Sequence, residues 1–390
     1  MRLALVGGAI ASLLGVAIGA AYARGSPLAG GIERTDTWST AFLAAVGAAF
    51  VLYVAALRFL GDGAALRLVC ALALVIQLVP LAGPMLLSRD AYSYWAYGRL
   101  VWVHDANPYE RPPAAFPTDP ATEATARYWR RSTSVYGPVF TGFSTGVAAV
   151  AGSSRETAAY LFRVTAALAV VLTAILVAVL ARRKARAAAL VGWNPLFAVH
   201  FAGGGHNDAL MVLGMVAALA CVRRSRDGAG GAVWVVAAAV KSAALVLLPL
   251  ALIRARARFW AGAVAAAAAL TLFASLVFHD AWWSNFSGLG RREAGFSIAS
   301  RIAQLGIGET AATWLLRAVL LAGVVWLVGQ AVRGHVRIGL AAGLLLATST
   351  WILPWYALWP VGLAAAEDDG LAQLVGVALS AYLMADRVPF

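Results

Sequence analysis

Long apolar runs alternate with short polar segments along most of the chain. The runs that are long enough to cross a membrane, or nearly so, lie at 3–23, 40–60, 66–87, 136–151, 158–181, 187–201, 208–222, 231–253, 259–279, 312–332, 337–352, 353–366 and 371–386. A spanning helix needs about 20 residues, so the shorter runs are predicted to be tilted, re-entrant or merged with a neighbour. The pattern predicts an all-α polytopic membrane protein with about 11–13 transmembrane helices.

Composition supports this class and excludes others. Of the 390 residues, 62% are hydrophobic and 13% are charged, whereas soluble domains are nearer half apolar and a quarter charged. The net charge is +13, but the arginines lie mostly in short loops beside apolar runs. That arrangement is typical of membrane topology and anionic headgroups, so the lipid bilayer is a predicted partner and nucleic acid is not. The two cysteines, Cys70 and Cys221, do not support a disulfide framework or a zinc site.

Two polar segments, 88–135 and 280–311, are the largest predicted loops. No linker divides the chain, so a single integral membrane domain is predicted over 1–390, with 88–135 as the main catalytic loop and 280–311 as a second loop. The residues from Tyr92 to His104 are predicted to form a short helix that lies in the membrane interface. We expect both loops to lie on one side of the membrane and to roof a cavity that contains Asp90.

The arginine clusters conflict with a simple count of membrane crossings. If three crossings put the loop 88–135 outside, two more put Arg182-Arg183-Lys184-Ala185-Arg186 on that same side, and a further two do so for Arg223-Arg224. The positive-inside rule would place both clusters in the cytoplasm. Either one short run does not cross, or the charge bias is overridden. Charge alone does not decide between these alternatives.

Asp90 directly follows an apolar run, at the predicted membrane boundary. One interpretation is a carboxylate that caps an interfacial helix, where it is favourable near the positive helix end. The other is a general base or an acceptor-binding carboxylate. The hydrogen-bonding groups near Asp90 exceed what a cap needs and favour the second interpretation. These groups are Tyr92, Tyr94, Tyr97 and Arg99. The substrate-binding candidates in this part of the chain are Arg89, Tyr92, Tyr94, Arg99 and, further along, Tyr136.

A second polar block, Gly203-Gly204-Gly205-His206-Asn207-Asp208, separates two apolar runs. It can be a turn in which Asn207 or Asp208 caps the next helix. It can also line a functional cavity, because polar side chains between membrane helices are costly elsewhere. His206, Asn207 and Asp208 are therefore substrate-binding candidates. No cofactor is certain: a divalent cation held by Asp90 and Asp208 stays open, but the histidines show no ligand spacing and no metal site is assigned.

Two further positions interrupt apolar runs. Trp193-Asn194-Pro195 predicts a helix kink at which Asn194 satisfies backbone groups that the proline leaves unpaired. Lys241 lies inside the run 231–253, where an ammonium group is expensive and usually faces a cavity or a carboxylate. Lys241 is therefore a candidate for binding a phosphate.

The remaining candidates are aromatic and basic. The segment Trp351-Ile352-Leu353-Pro354-Trp355-Tyr356, with Trp359, predicts first an aromatic belt at a membrane interface and second a stacking platform for a sugar or a prenyl tail. Arg291, Arg292 and Arg301 in the second loop either solvate that loop or bind a phosphate. All three are retained as substrate-binding candidates.

Taken together, these motifs resemble a known superfamily. The segments Ser88-Arg89-Asp90-Ala91-Tyr92-Ser93-Tyr94, Tyr97-Gly98-Arg99, Asn107-Pro108-Tyr109 and Tyr136-Gly137-Pro138 resemble the GT-C superfamily of polyprenyl-phosphate-sugar-dependent glycosyltransferases. Within it, Trp193-Asn194-Pro195 and the block from Gly203 to Leu210 are similar to the actinobacterial α-1,6-mannosyltransferases that build lipomannan. The resemblance covers about residues 66 to 225, and implies a GT-C-like helical bundle with extracytoplasmic loops.

The resemblance also implies a reaction. Mannose would pass from polyprenyl-phosphomannose to a hydroxyl of a mannan or glycolipid acceptor, at the outer face of the cell membrane. A β-linked donor that gives an α-linked product implies inversion in one displacement, which needs one catalytic carboxylate. Asp90 is the candidate for this general base.

A transporter or lipid flippase is the alternative from another class. His206, Asp208 and Lys241 would then form a proton or ion relay. Transporters usually show paired halves with matching broken helices. The sequence shows no such repeat, so the enzyme is favoured.

Overall fold

The computed structural model describes residues 2–23, 37–61, 65–284 and 296–388. The helices of the first half are α1 (Arg2–Tyr22), α2 (Thr37–Phe59), α3 (Leu66–Leu78), α4 (Asp90–Trp102), α5 (Pro120–Ala124), α6 (Arg127–Arg130), α7 (Pro138–Ala151), α8 (Arg155–Leu180), α9 (Lys184–Gly192) and α10 (Pro195–Phe197). Those of the second half are α11 (Asp208–Arg223), α12 (Asp227–Val240), α13 (Ala243–Leu252), α14 (Ala257–Phe278), α15 (Ala281–Ser284), α16 (Ile298–Ile302), α17 (Glu309–Val332), α18 (Ile338–Thr348), α19 (Leu358–Glu367) and α20 (Gly370–Tyr382). No β-strand occurs within these described ranges, which confirms the predicted all-α class.

The helices differ in length in a way that defines the architecture. Within the described ranges, five are long and apolar enough to cross a membrane alone, namely α1, α2, α8, α14 and α17. Shorter apolar helices run beside them, and the protein is an all-α polytopic membrane protein. The predicted total of 11–13 transmembrane helices depends on how these shorter helices are counted.

The turns that carry the arginine clusters lie together at one end of the bundle. We call this end, formed by the turns at 181–186, 223–226, 253–256 and 333–337, the basic end. The contacts that join these turns are Arg182 N with Asp368 Oδ2 at 2.6 Å, Arg223 with the Ala366 carbonyl at 3.0 Å, Arg254 with the Val332 carbonyl at 3.4 Å, Arg256 with Asp227 at 3.4 Å and Arg337 with Asp369 at 2.6 Å. Both clusters that complicate the topology are therefore on the same end.

Helix α7 resolves the conflict in the count of crossings. It forms a hairpin with α8, and the Phe143 and Phe162 ring centroids are 5.8 Å apart. Phe162 lies only seven residues into α8, which continues for 18 more residues to Leu180 at the basic end. The shorter α7 therefore runs beside the first turns of α8 only. The run 136–151 does not reach the basic end, and this is the first of the two alternatives that the sequence left open.

The predicted span 231–253 is a helical hairpin and not one helix. Its helices α12 and α13 are separated by Lys241, whose backbone is extended (φ −149°, ψ 123°). Both outer ends of the hairpin lie at the basic end, because Asp227 at the start of α12 pairs with Arg256 just after α13. Lys241 is thus placed at the inner tip of the hairpin. The prediction of a continuous span was wrong, since apolar composition alone does not reveal a break in backbone conformation.

Helix α4 confirms the short helix predicted after Asp90, but its surroundings differ from a membrane interface. Its residues from Ser93 to Leu100 are buried against α7 and α8. Gly98 allows the close approach, because a Cβ there would lie 2.0 Å from the Ser144 carbonyl oxygen. Tyr94 packs edge-on against Tyr136 at a centroid distance of 5.0 Å. Tyr94, Trp95 and Tyr97 of α4 therefore belong to the protein core, whereas Trp102 at the end of the helix is 61% exposed.

The described parts of the two predicted loops lie at the same end of the bundle. Asn107 Nδ2 donates to the carbonyl of Phe278, the last residue of α14, at 2.6 Å. The Tyr109 and Phe278 rings pack edge-on at 5.2 Å. From the second loop, Phe296 accepts a hydrogen bond from Tyr382 at the end of α20. We refer to this end, opposite the basic end along α8, α14 and α20, as the loop end.

Candidate active site

A cavity of about 400 Å³ lies toward the loop end, where several shorter helices begin or end. Its wall comes from the loop 88–135, the tip of the α12–α13 hairpin, and the segment between α18 and α19. The lining residues are Asp90, Tyr94, Trp129, Val135, Tyr136, Lys241, Ser242, Ala243, Val246, Leu345, Leu346, Ser349, Trp351, Leu353, Trp355, Tyr356 and Trp359. Of the predicted site residues, the cavity brings together Asp90, Tyr94, Tyr136 and Lys241.

Asp90 faces this cavity and one histidine. Its Oδ2 lies 3.3 Å from Nδ1 of His206, and 18% of its side chain is exposed. Within the described chain, neither ring nitrogen of His206 has a hydrogen-bond partner, so the pair is a close polar contact. The side chain caps no backbone amide in the described chain; the Asp90 amide itself donates to Ser88 Oγ at 3.1 Å. Asp90 therefore forms no side-chain cap, although it lies in the first turn of α4, near the positive helix end.

The charges around Asp90 keep its carboxylate ionised. Burial raises the Asp90 pKa, but the interaction with His206 and the positive charges of Arg387 and Lys241 lower it by more, so the net pKa is below its ordinary value. Asp90 can therefore accept a proton at neutral pH. A carboxylate that acts as a general base must be in this state.

Asp208 is held by two donors at the foot of the cavity. Lys241 Nζ lies 2.8 and 2.7 Å from its two carboxylate oxygens, and Trp359 Nε1 donates to Oδ1 at 2.8 Å. The Asp208 side chain is fully buried, and a buried carboxylate of this kind needs such partners. The turn interpretation predicted that Asn207 or Asp208 caps α11. The Asp208 carboxylate binds Lys241 and Trp359 instead, so Asp208 does not cap that helix. It fixes Lys241 at the hairpin tip.

His206 and Asn207 are buried behind Asp90. The His206 ring stacks on Trp355 with centroids 3.4 Å apart and an angle of 12° between the planes. Asn207 has 2% of its surface exposed, and within the described chain its side-chain amide makes no hydrogen bond. His206 thus contacts the site through Asp90 and Trp355. Asn207 belongs to the polar layer behind the cavity wall.

The aromatic segment after α18 forms the opposite wall. Trp355 and Trp359 are only 4% and 5% exposed, so the aromatic-belt interpretation does not fit them. Tyr356 stacks on Trp359 at 4.5 Å and lies under Lys241 Nζ, which is 4.6 Å from its ring centroid. The sequence offered one signal for this wall, namely tryptophans spaced by four residues, which places them on one face of a helix.

Several predicted site residues lie away from the cavity wall. Arg99 is buried and forms an ion pair with Asp119 at 2.9 Å. Tyr92 is half-buried and Arg89 is exposed, and neither lines the cavity. Arg301 is exposed, donates to Gln304 at 3.1 Å and lies over the Phe296 ring. Arg291 and Arg292 lie outside the described residues.

Few side chains at this site could bind a metal ion. Among the described residues, no three His, Cys, Asp or Glu side chains come together as a group that could hold a metal. Both Asp208 oxygens contact Lys241, so the carboxylate of Asp90, which lines the cavity, and the ring of its neighbour His206 are what remain of the carboxylate and imidazole groups described above.

An apolar groove of about 380 Å³ adjoins the cavity. It lies between α13, α17 and α18, shares Val246 and Leu345 with the cavity, and extends toward the basic end as far as Ile253. All of its lining residues are aliphatic. The polar cavity and this groove together form a site with a charged head and an apolar extension.

The helices that meet at the cavity are shorter than the full bundle. Ala91, next to Asp90, and Phe162 both approach Gly205, so the cavity lies level with a point seven residues into α8. At 1.5 Å per residue this is about 10 Å below the start of that helix. The site is therefore recessed from the loop end.

Comparison with protein families gives a match over residues 2–258, to the model described as "Alpha-(1->6)-mannopyranosyltransferase, N-terminal domain". The chain is similar to "Alpha-(1->6)-mannopyranosyltransferase A" of Corynebacterium glutamicum, with 29% identity over 182 residues. It is also similar to the protein of that name from Mycobacterium tuberculosis, with 33% identity over 180 residues.

These matches cover only part of each relative. Each spans 45% of this chain, but 36% of the Corynebacterium protein and 34% of the Mycobacterium protein. The chain therefore matches about a third of the length of these curated relatives. No solved structure matches the chain significantly.

Proposed function

This chain belongs to the alpha-(1->6)-mannopyranosyltransferase family, and on that premise we propose that it transfers a mannosyl residue from polyprenyl-phosphomannose to a hydroxyl of a glycan or glycolipid. The observation that carries the proposal is the cavity in which Asp90, Lys241 and an aromatic wall meet beside an apolar groove. Such a site suits a substrate with a sugar, an anionic group and a long apolar chain. The homology favours this function over the transporter alternative.

The proposed reaction is a single displacement. Asp90 accepts the proton of the acceptor hydroxyl as the hydroxyl oxygen attacks the anomeric carbon of the donor mannose. The bond from that carbon to the phosphate oxygen breaks on the opposite face, and the polyprenyl phosphate leaves with the electron pair. The anomeric configuration is inverted. One base is sufficient because phosphate leaves as a stable anion with little need for a general acid.

The chemical groups of the proposed donor, polyprenyl-phosphomannose, match the two parts of the site, which are the aliphatic groove and the cavity. The polyprenyl tail needs an apolar surface, which the aliphatic groove from Val246 to Ile253 supplies. The phosphate would lie near Lys241 and Ser242, where that groove meets the cavity. Trp351, which lines the cavity and is half-buried, offers a face on which the C–H side of a sugar can stack.

We propose that the loop end faces the outside of the cell. Four short turns with arginine clusters lie at the opposite, basic end, and short cytoplasmic loops of membrane proteins carry such an excess of Lys and Arg. The recessed cavity with Asp90 would then open to the extracytoplasmic side of the cell membrane.

A direct assay tests the proposal. Purified protein in liposomes is given labelled polyprenyl-phosphomannose and short mannose acceptors, and the product is analysed for anomeric configuration and linkage. We expect an α-linked product with one added mannose. Transfer from a sugar nucleotide but not from the lipid donor would overturn the donor assignment. Ion-coupled lipid or solute movement without any sugar transfer would support the transporter alternative.

A further inference from the structure

Asp90 and His206 meet where two segments of the chain are joined through their backbones. The amide of Leu86, four residues before Asp90, donates to the carbonyl of Gly203 at 2.9 Å. The buried Arg163 of α8 donates from Nε to the carbonyl just before Gly203 at 2.6 Å. Both segments are therefore held at the backbone, which limits how far the carboxylate and the histidine ring can move apart.

The His206 ring has little freedom to turn. It stacks on Trp355 with the centroids 3.4 Å apart and 12° between the planes. At its edge, Nε2 lies so close to Gly204 that a Cβ on this glycine would be 2.8 Å from it. Gly205, with φ at 74°, is in the left-handed region that glycine adopts readily and leads the chain into the histidine. The ring is therefore held with Nδ1 toward Asp90 Oδ2, 3.3 Å away.

Three buried polar side chains around this turn make no hydrogen bond within the described chain, namely His200, His206 and Asn207. Each is at most 2% exposed. Buried polar groups are normally paired, and an exception calls for an explanation such as a role in catalysis. Of the two histidines, His206 is the one with an ion-pair contact to a carboxylate in the described chain. The contact with Asp90 therefore offers an explanation for His206.

We propose that His206 is a positioning residue for Asp90. Its Nδ1–H donates to Oδ2 once substrates bind, and the other carboxylate oxygen is then directed at the acceptor hydroxyl. Hydrogen bonds of catalytic groups are often long or poorly aligned in a free enzyme and tighten in the substrate complex, so the 3.3 Å contact suits this role. The part of Asp90 as the base rests on the proposed mannosyl transfer, whereas the contact between the two side chains does not.

Two substitutions of His206 separate positioning from packing. His206→Phe keeps a flat ring on Trp355 but has no donor, whereas His206→Asn loses the stacking but places an amide N–H near the position of Nδ1. With labelled polyprenyl-phosphomannose, we expect kcat of His206→Phe to fall by roughly 10–100-fold at an unchanged donor KM, because a hydrogen bond to a charged group is lost. His206→Asn should retain more of the rate. A residue that serves packing alone would give the reverse order.

His200→Phe is the matched control. This histidine is buried in the same part of the chain, with its ring centroid 6.1 Å from that of His206 and 5.6 Å from that of Trp355. It has no ion-pair contact with Asp90, so its transfer rate should stay near that of the unmodified protein. A fall as large as that of His206→Phe would show that any change in this turn slows transfer, and would overturn the proposal.

A cycle of thermal unfolding tests the pair without any transfer. It compares Asp90→Asn, His206→Phe and the double variant in detergent. If His206 holds the carboxylate, His206→Phe should lower the melting temperature less in the Asp90→Asn background than in the unmodified protein. Additive effects, or normal transfer by His206→Phe, would overturn the proposal. Non-additive effects in a protein that transfers no mannose would support the pair and overturn the proposed function instead.

Discussion

Two cavities of this protein surround basic side chains differently. In the cavity near the loop end, Lys241 is held by the buried Asp208 and lies over the Tyr356 ring. A second cavity, of about 630 Å³ at the basic end, is lined by Arg58, Arg183 and Arg186, and its described lining residues include no acidic one. In the first cavity, the carboxylate that pairs with the cation also fixes its position. The contacts of a basic residue therefore tell more about its role than its presence in the sequence does.

The largest expected effect separates chemistry from binding in the first cavity. Asp90→Asn keeps the size of the side chain but cannot take a proton, so the transfer rate should fall by about 10²–10⁴-fold. Donor binding and the melting temperature should stay near those of the unmodified protein. The exposed Glu156→Gln is the matched control and should retain activity. Near-normal transfer by the Asn variant would remove Asp90 as the base.

The second prediction concerns the buried ion pair between Asp208 and Lys241. Asp208→Asn leaves Lys241 without its carboxylate, and breaking a buried ion pair in this way costs about 3–5 kcal/mol of stability. The double variant Asp208→Asn/Lys241→Met should lose less than the sum of the two single variants, because it leaves no unpaired charge. Thermal unfolding in detergent measures all three.

An ion pair at the basic end with one exposed partner provides the contrast. Arg256 is 72% exposed and lies 3.4 Å from Asp227, whose side chain is 7% exposed. Because the long contact leaves the cation well solvated, Arg256→Gln should change stability by only about 0–1 kcal/mol. If this variant is as damaging as Asp208→Asn, burial does not distinguish the two ends as we infer.

An effect between those of Asp208→Asn and Arg256→Gln is expected when Asp208 loses the hydrogen bond that Trp359 donates to it. Trp359→Phe keeps an aromatic face in the cavity and removes only the Nε1–H that donates to Asp208 at 2.8 Å. Hydrogen bonds to charged groups contribute about 1.5–3 kcal/mol, and Lys241 still compensates the carboxylate. We therefore expect a loss of stability near the lower value, measured by thermal unfolding. Trp351→Phe, in the same wall, is the control and should change stability less.

The smallest effect is a dependence on pH at the loop end. Burial raises the Asp119 pKa, but hydrogen bonds from Arg99 and His104 lower it by more, so the net pKa is below its ordinary value. The ionised carboxylate then stabilises the fold above the unfolded pKa of about 3.9, and this contribution is lost as the pH falls through the folded pKa. The stability difference from Asp119→Asn should thus shrink below about pH 4. A difference that grows in acid would contradict this sign.

The sequence alone predicted those features of the molecule that depend on local patterns of residues. The all-α class, the helix after Asp90 and the family follow from apolar runs and short motifs. Asn194 caps α10 by accepting from the Leu196 amide at 3.0 Å, as its place before Pro195 predicted. Asp90 and Lys241 do line one cavity, as an isolated charge in an apolar run suggested.

The parts that were not predicted depend on contacts between distant segments. The carboxylate that holds Arg99 lies 20 residues further along the chain, and no local pattern marks the two as partners. Trp359 meets Asp208 across 151 residues. The hairpin at Lys241 looks like one continuous span because both of its helices are apolar. Such features arise from tertiary packing, which single-sequence patterns do not contain.

For the proposed transfer, the recess of about 10 Å above Asp90 limits which part of an acceptor can react. The interior of a glycan chain would have to bend sharply to bring a hydroxyl down to the carboxylate, whereas a chain terminus can enter directly. We therefore expect end-selective growth, in which each turnover extends the terminal sugar by one unit and internal branching does not occur. Blocking the terminal hydroxyls of a short acceptor should abolish transfer even when internal hydroxyls stay available.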